Sequence, residues 1–253
     1  MGKVIAITGK GGTGKTTVAA LIIRALAERS AGAVLAVDAD PNSNLDAALG
    51  VKATDSVGEI REEALDKVAS LPGGMTKTEF LEYRVQECLV ETEKFDLLVM
   101  GRPEGPGCYC FANSILRTVV DKLANQYQYT VMDCEAGLEH ISRRTTKDLD
   151  LLIVLTDPSL RGMETAFRVI GLVNELKNKV TDLRLVISRA SSEVPPALTA
   201  AAAARGVKIW GVIPTDEAIT QLDAEGKPLI DVATDSPVFK AVRELLDGAV
   251  PAK

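Results

Sequence analysis

The sequence predicts a single α/β domain over residues 1–253, with a mainly parallel, doubly wound β-sheet covered by helices on both faces. Three observations support this fold class. Apolar runs rich in β-branched residues, such as residues 3–8 and 151–155, are typical of strands that are buried on both faces. The chain is 46% hydrophobic but only 4% aromatic, so its core is expected to be aliphatic, as in parallel sheets covered by helices. The length of 253 residues suits one large domain, and no linker-like stretch divides it.

The predicted elements follow one another in an order that suits this fold. Strands are expected at residues 3–8, 33–37, 95–101, 127–133, 151–158, 183–188 and 207–212. Helical composition and spacing predict helices at residues 16–29, from 55 onwards, and at 78–89, 160–178, 200–204 and 236–246. Residues 55–95 indicate no specific role, and Cys88 within them is expected to fill a packing position.

Residues 9–16, Gly-Lys-Gly-Gly-Thr-Gly-Lys-Thr, match the phosphate-binding pattern of Gly, four residues, then Gly-Lys-Ser/Thr. The pattern lies between the first strand and the first helix, as this motif requires. Its glycines let backbone N–H groups surround a phosphate, and the helix adds the positive end of its dipole. Lys15 is expected to contact the β- and γ-phosphates, and the Thr16 hydroxyl to ligate Mg²⁺. The loop therefore predicts a P-loop NTPase fold with nucleotide contacts at Gly11, Gly12, Thr13, Gly14, Lys15, Thr16 and Thr17.

Charge and cysteine content narrow the classes of partner. A net charge of −6 argues against a nucleic-acid or anionic-membrane surface, so we expect no nucleic-acid and no membrane partner. Four cysteines suggest free thiols or metal ligands rather than a disulfide framework. The chain starts directly into the first strand, which argues against a signal peptide, and no apolar run is long enough to span a bilayer. These features predict a soluble cytoplasmic protein.

Acidic residues follow two of the predicted strands. Asp38 and Asp40 come after residues 33–37, and Asp133 ends the strand at residues 127–133. The carboxyl ends of parallel strands form the edge where α/β sheets bind ligands. Asp133 fits the acid that holds a Mg²⁺-bound water. Pro41 makes the Asp40 segment a loop, and the alternative for Asp38 and Asp40 is that both only begin a turn.

A second informative stretch is the Pro- and Gly-rich segment at residues 102–107, followed by Cys108 and Cys110. In extended backbone, residues i and i+2 project to the same side, so the two thiols can hold one metal ion together. A closed zinc site needs four ligands, which a twofold dimer with two such pairs would supply, and square-planar nickel is equally compatible. Cysteines packed in a loop, or a redox disulfide, are the alternatives. Cys134 is expected to pack rather than to sense metal, and His140 to serve a helix start or a switch.

Residues 10–17, Lys-Gly-Gly-Thr-Gly-Lys-Thr-Thr, resemble the deviant phosphate loop of the dimeric ATPases related to MinD, ParA and the nitrogenase iron protein. An ordinary phosphate loop does not need the early lysine. The resemblance implies that Lys10 reaches across a homodimer interface to the partner's nucleotide and clamps the transferring phosphoryl group. It also implies that Asp40 orients the attacking water and that Asp38 supports the Mg²⁺ shell. Lys10, Lys15 and Asp40 are thus the expected catalytic residues, with Thr16, Asp38 and Asp133 at Mg²⁺.

The Cys-Tyr-Cys sequence at residues 108–110, about a hundred residues after such a loop, is similar to the CooC-type nickel-insertion ATPases. Residues 137–140 and 145–147 are also similar to that group. This resemblance implies a dimeric ATPase that uses ATP and Mg²⁺ and holds Ni²⁺, or Zn²⁺ in its place, at Cys108 and Cys110. Its client would be a nickel-containing carbon monoxide dehydrogenase or acetyl-CoA synthase.

Two other functions stay open at this point. A ParA- or MinD-type positioning ATPase would bind DNA or membrane and would be expected to carry a basic patch or a terminal amphipathic helix. An iron–sulfur scaffold or reductase would bridge a cluster with its cysteines and would be brown.

The residues expected to recognise the base depart from the pattern of the class. There, the strand at residues 183–188 usually ends with Asn followed by a basic residue, whereas this chain has Ser188 and Arg189. We therefore expect base recognition to depend more on backbone groups after the next strand, around Pro214 and Asp216.

Overall fold

The computed structural model describes residues 2–29, 32–60, 77–101, 123, 125–135, 148–175, 179–191 and 193–247. The strands in these ranges are β1 (Lys3–Gly9), β2 (Val34–Ala39), β3 (Val90–Glu91), β4 (Asp96–Val99), β5 (Tyr129–Cys134), β6 (Asp148–Thr156), β7 (Lys179–Ala190) and β8 (Ile209–Pro214). They form one sheet in the order β3-β4-β2-β5-β1-β6-β7-β8. Only the pair formed by β3 and β4 is antiparallel among the strands described. This confirms the predicted α/β fold class.

Helices among the described residues include α1 (Lys15–Glu28), α2 (Leu45–Leu49), α3 (Lys77–Glu87), α4 (Leu160–Glu175), α5 (Pro196–Ala204), α6 (Glu217–Ala224) and α7 (Pro237–Asp247). A 3₁₀ turn covers Leu229–Asp231. The sequence did not predict β3, α2, α6 or this turn, because each is too short to show a clear hydrophobic period. The second strand extends past residue 37 to Ala39, so Asp38 lies within β2 and not in the loop after it.

The core consists of two aliphatic layers, one on each face of the sheet. Val4 and Ala6 face the layer beneath α4 and α5, whereas Ile5 and Ile7 face the layer beneath α1 and α7. Period-two alternation therefore places apolar side chains on both faces of β1, as expected for a central parallel strand. Cys88 and Cys134 belong to the first layer, and burial raises the pKa of both thiols, that of Cys88 to about 12. Both pack as predicted.

Strand order sets the position of the ligand edge. The strands β5, β2 and β4 lie on one side of β1, and β6, β7 and β8 lie on the other. Ligands of such sheets bind beyond the carboxyl ends of the strands, where the order reverses. The register places Asp133 beside both Ile7 and Asp38, and Leu155 beside Gly9. The first loop and three strand ends therefore converge at one edge.

None of the helices in the described ranges combines the length and the apolar character that crossing a membrane requires.

Candidate functional site

The loop between β1 and α1 has the backbone of a phosphate-binding loop. Gly12 and Gly14 both have φ of +79°, a conformation that glycine adopts without steric cost. Gly14 is the N-cap of α1 and offers no capping side chain, so the first N–H groups of the helix are available to a ligand. A Cβ on Gly9 would lie 2.2 Å from the Leu155 carbonyl oxygen, so only glycine allows β1 and β6 to approach here.

The phosphate loop is held by one hydrogen bond within the loop and by another from β7. The Thr13 hydroxyl donates to the Lys10 carbonyl at 2.8 Å, which closes the turn. The Ser188 hydroxyl, on β7, donates to the Thr13 carbonyl at 2.6 Å. Ser188 is only 2% exposed, so this predicted base-contact residue supports the phosphate loop from beneath. Arg189 follows it with a φ of +56° and is exposed, with its Nε about 4.0 Å from the position of a Cβ on Gly14.

Asp133 and Thr16 form the acidic end of the site. The Thr16 hydroxyl donates to Asp133 Oδ2 at 2.6 Å, whereas Asp133 Oδ1 is buried without a hydrogen-bond partner. Burial raises the pKa of Asp133 to about 7, and the charge of the neighbouring Asp38 adds to this rise. An unpartnered carboxylate oxygen beside a hydroxyl is the oxygen donor set that Mg²⁺ prefers. The residues therefore fit the Mg²⁺ ion that the motif implies.

Asp38 organises the loop after β2. Its Oδ1 accepts the Asp40 N–H at 3.0 Å, and its Oδ2 accepts the Leu45 N–H at 2.9 Å. Asp38 is fully buried, and burial raises its pKa to about 6. Asp40 accepts the backbone N–H of Asn42 at 2.9 Å and its side-chain amide at 3.0 Å, and it lines the cavity beside the phosphate loop. Asp38 thus fixes the loop that presents Asp40 to the cavity.

Lys10 lies on the exposed rim of the loop. Its Nζ is 3.3 Å from Asp157 Oδ2, with 48% and 31% of the two side chains exposed. Asp157 follows β6 and also accepts the Ser159 hydroxyl, which is the main cause of its lowered pKa, with Lys10 contributing. Asp157 was not predicted as a site residue, although, like Asp133, it is an acid at the end of a central strand.

A cavity of about 890 Å³ opens in front of the loop. One end is formed by residues 11–18, and the far wall combines the apolar side chains of Pro214, Ile219, Leu229 and Val238 with polar and charged ones. A phosphate end opposite these apolar side chains suits a nucleotide whose base lies against them. Ile219, Leu229 and Val238 were not predicted, nor were Asn44, Glu135 and Lys227, which also line the cavity.

Asp216, which was predicted to lie near the base, lines the same cavity, but both of its carboxylate oxygens accept hydrogen bonds from the protein. Its Oδ1 accepts the Ala218 N–H at 2.9 Å and caps α6, and its Oδ2 accepts the Ser236 hydroxyl at 2.6 Å. It therefore joins α6 to the start of α7. The Pro214 side of the wall is continuous with β8.

The predicted metal ligands Cys108 and Cys110 lie outside the described residues, as do Gly137 and His140. Among the residues that are described, no group of three or more His, Cys, Asp or Glu side chains is arranged to hold a metal ion. The nickel site therefore stays a prediction from the sequence.

Comparison with known proteins identifies the family. The family model described as the CobQ/CobB/MinD/ParA nucleotide binding domain matches residues 4–229. An uncharacterised ATP-binding protein of Methanocaldococcus jannaschii is 44% identical over 252 residues, which cover 99% of each chain. The carbon monoxide dehydrogenase accessory protein CooC of Rhodospirillum rubrum is 32% identical over 246 residues, or 90% of each chain. The crystal structure of the cell division ATPase MinD of Pyrococcus furiosus superposes with a TM-score of 0.73, at 26% identity and 98% coverage of each chain. The chain therefore belongs to the CobQ/CobB/MinD/ParA nucleotide-binding family and is an ATPase of the class that includes MinD, ParA and CooC.

Proposed function

We propose that this ATPase uses Mg²⁺-dependent ATP hydrolysis to switch a homodimer that carries nickel to a carbon monoxide dehydrogenase or acetyl-CoA synthase. The observation that carries the metal proposal is the Cys108-Tyr109-Cys110 sequence, in a chain 32% identical to a carbon monoxide dehydrogenase accessory protein. A positioning role would not require two thiols at this spacing, whereas an iron–sulfur scaffold would use them as cluster ligands, and the titration described below distinguishes a cluster from nickel.

The nucleotide chemistry is supported by the geometry of the phosphate loop. Lys15, at the start of α1, is 9% exposed and lines the cavity, where its ammonium would contact the β- and γ-phosphates. Thr16 and Asp133 would hold Mg²⁺, directly or through its waters, and the ion supplies positive charge to the phosphate oxygens. Asp40, presented by the loop that Asp38 fixes, would orient the water that attacks the γ-phosphorus as the bond to the β–γ bridging oxygen breaks.

Lys10 is the residue that we propose acts across the dimer interface. In the isolated chain, Lys10 pairs with Asp157 of its own subunit at 3.3 Å, and both side chains are partly exposed. An exposed pair of this kind contributes less than about 1 kcal/mol, so a partner's triphosphate competes with it readily. We propose that Lys10 leaves Asp157 when two subunits close on ATP and then stabilises the charge that develops on the partner's γ-phosphoryl group.

Nickel is the cargo in this proposal. Cys108 and Cys110 of two subunits would supply four thiolates, which suit Ni²⁺ in a square plane or Zn²⁺ in a tetrahedron. Closing and opening of the dimer with the nucleotide state would then bring the two cysteine pairs together and separate them. Metal affinity is therefore expected to differ between the apo, ADP and ATP states.

The test is an anaerobic Ni²⁺ titration of the whole protein, followed by absorbance and by the mass of the dimer, with and without Mg·ATP. We expect a thiolate-to-nickel band that saturates near about one Ni²⁺ per dimer. A Cys108→Ser/Cys110→Ser variant should lose the band. A Cys88→Ala variant is the matched control, because Cys88 is only 2% exposed in the core, and it should keep the band.

Other outcomes would favour other functions. Iron–sulfur absorbance before nickel is added would favour a cluster scaffold. No nickel band, together with ATP-dependent binding to DNA or to lipid vesicles, would favour a ParA- or MinD-type positioning ATPase. An affinity for Ni²⁺ that is equal in the apo, ADP and ATP states would exclude the coupling.

A further inference from the structure

Part of the far wall of the nucleotide cavity packs on α1, the helix that follows the phosphate loop. Gly226, Lys227 and Leu229 line the cavity, and Leu229–Asp231 forms the 3₁₀ turn. This segment packs against α1, and Leu229 belongs to the same apolar layer as the buried residues of that helix. We call residues 226–232 the wall segment.

Arg24, on α1, binds the wall segment through its guanidinium. Its Nη1 donates to the Ile230 carbonyl at 2.7 Å and also to the Val232 carbonyl. Its Nε donates to Glu28, one turn further along α1, at 2.7 Å. The guanidinium carbon also lies 4.2 Å from the centre of the Phe239 ring on α7. A planar guanidinium makes these contacts together, whereas the ammonium of lysine cannot reproduce the fork and the ring contact.

The side chain of Arg24 is largely withdrawn from solvent, with 15% exposed. Hydrogen bonds from a charged donor to carbonyls at such a site are stronger than those at an open surface. Arg24, nine positions after Lys15, therefore adds a polar attachment to the apolar packing of Leu229 on α1. Since a helix rises about 1.5 Å per residue, Lys15 at the phosphate end and Arg24 at the wall segment are about 13 Å apart along the axis of α1.

The wall segment also contacts the helix behind the Asp40 loop. Gly50 ends α2 with a φ of +70°, and a Cβ on it would lie 2.6 Å from Pro228 Cγ. Ala47 and Ala48 of α2 line the cavity. One segment thus joins α1, α2 and the far wall.

We propose that Arg24 is a positioning residue for the base and ribose of the nucleotide. It holds the far wall at a set distance from the phosphate loop, so that both ends of a nucleotide are contacted at once. The inference rests on the nucleotide half of the proposed function and is independent of the nickel cargo. It predicts that Arg24 matters for ligands with a base, and not for a triphosphate alone.

The experiment compares binding of Mg·ATP and of Mg·tripolyphosphate by calorimetry in the wild type and in Arg24→Met, which keeps an apolar stem but removes all donors. We expect the Kd for ATP to rise about tenfold, because a displaced wall would cost the base and ribose contacts worth about one hydrogen bond, and the Kd for tripolyphosphate to change by less than about twofold. Arg24→Lys should recover only part of the ATP affinity.

Arg29→Met is the matched control. Arg29 also lies where α1 meets α7, donates to the Arg243 carbonyl, and pairs with Asp247, and none of these partners lines the cavity. The Arg29→Met substitution should lower the melting temperature without changing the Kd for ATP or for tripolyphosphate. The inference is wrong if Arg24→Met weakens both ligands equally, or weakens neither while it melts like Arg29→Met. If the wild-type protein bound neither ligand, the nucleotide half of the proposed function would fail as well.

Discussion

Asp133→Asn tests how much stability the protein loses by burying the ionised carboxylate of Asp133. The substitution keeps the shape of the side chain and an acceptor for the Thr16 hydroxyl, but it removes a buried negative charge. In the folded protein the pKa of Asp133 is raised from 3.8 to about 7, chiefly by burial. That rise corresponds to about 4 kcal/mol of unfolding free energy that the ionised carboxylate costs the protein without Mg²⁺. The asparagine variant avoids this cost.

The sign of the pH dependence follows from the raised pKa. Between about pH 4 and pH 7 the folded protein holds a proton on Asp133 that the unfolded chain has lost. The wild type therefore loses stability as pH rises through this window. At about pH 5 the variant should already be more stable than the wild type by about 1.5 kcal/mol, and at about pH 8 this difference should grow to about 4 kcal/mol. For a chain of this length, that difference raises the melting temperature by roughly 10 °C.

The assay is urea unfolding of both proteins, without metal or nucleotide, across this pH range. Asp38 titrates in both proteins, and because its charge raises the pKa of Asp133, the difference between them reports the burial of Asp133 together with its repulsion by Asp38. Asp235→Asn, which changes an exposed acid in the turn before α7, should show no such pH-dependent gain. With Mg·ADP added at about pH 8, the wild type should become more stable than the variant, because only the wild type offers a carboxylate at residue 133 to the ion. Wild-type and variant curves that stay parallel from about pH 5 to pH 8 would refute the burial cost assigned to Asp133.

Three further substitutions have defined outcomes. Lys10→Ala is expected to lower kcat for ATP by at least about 10³ in the dimer, as loss of an arginine finger does, while ATP binding to the monomer persists; an unchanged kcat would exclude a role across the interface. Ser188→Ala removes the 2.6 Å hydrogen bond to the Thr13 carbonyl. We expect it to lower the unfolding free energy in urea by about 1 to 2 kcal/mol and to weaken ATP binding. A change in base preference without a loss of phosphate affinity would contradict this supporting role of Ser188. Gly9→Ala would place a methyl group 2.2 Å from a carbonyl of β6, so we expect circular dichroism to show a protein that is unfolded or melts far earlier, and a normal melting curve would contradict the close approach.

The phosphate end of the site could be predicted from sequence because its chemistry is local. The glycine spacing, the lysine and the threonine of residues 9–16 are all within one loop, and the strands beside it are long enough to show their apolar pattern. Asp133 followed from one further rule, that an acid at the end of a central parallel strand reaches the ligand edge. The register bears this out by placing Asp133 beside Ile7 of β1.

Apart from Pro214 and Asp216, the far wall could not be predicted, because long-range contacts determine it. The turn at Leu229–Asp231 and helix α6 have no strong period of their own, and they are held by Arg24, 206 residues before Ile230, and by the Asp216–Ser236 hydrogen bond. The role of Ser188 was hidden for the same reason, since Thr13 is 175 residues away. The resemblance implies an asparagine at the position of Ser188, but only the structure shows that Ser188 donates to the Thr13 carbonyl.

The charges around the cavity explain why an ion and a second subunit both enter the proposed mechanism. The basic residues among the described cavity lining are Lys15, Arg189 and Lys227, and the acidic ones are Asp40, Glu135, Asp216 and Asp223. Asp38 and Asp133 lie buried just behind the phosphate end. A polyanionic triphosphate would therefore meet more negative than positive side chains in one subunit, and Lys10 is engaged by Asp157. In the proposed mechanism, Mg²⁺ at Asp133 would offset the buried carboxylates, and the partner subunit's Lys10 would add positive charge where negative charge develops during hydrolysis. Each supplies positive charge that the described part of one subunit does not provide, so catalysis is expected to require both.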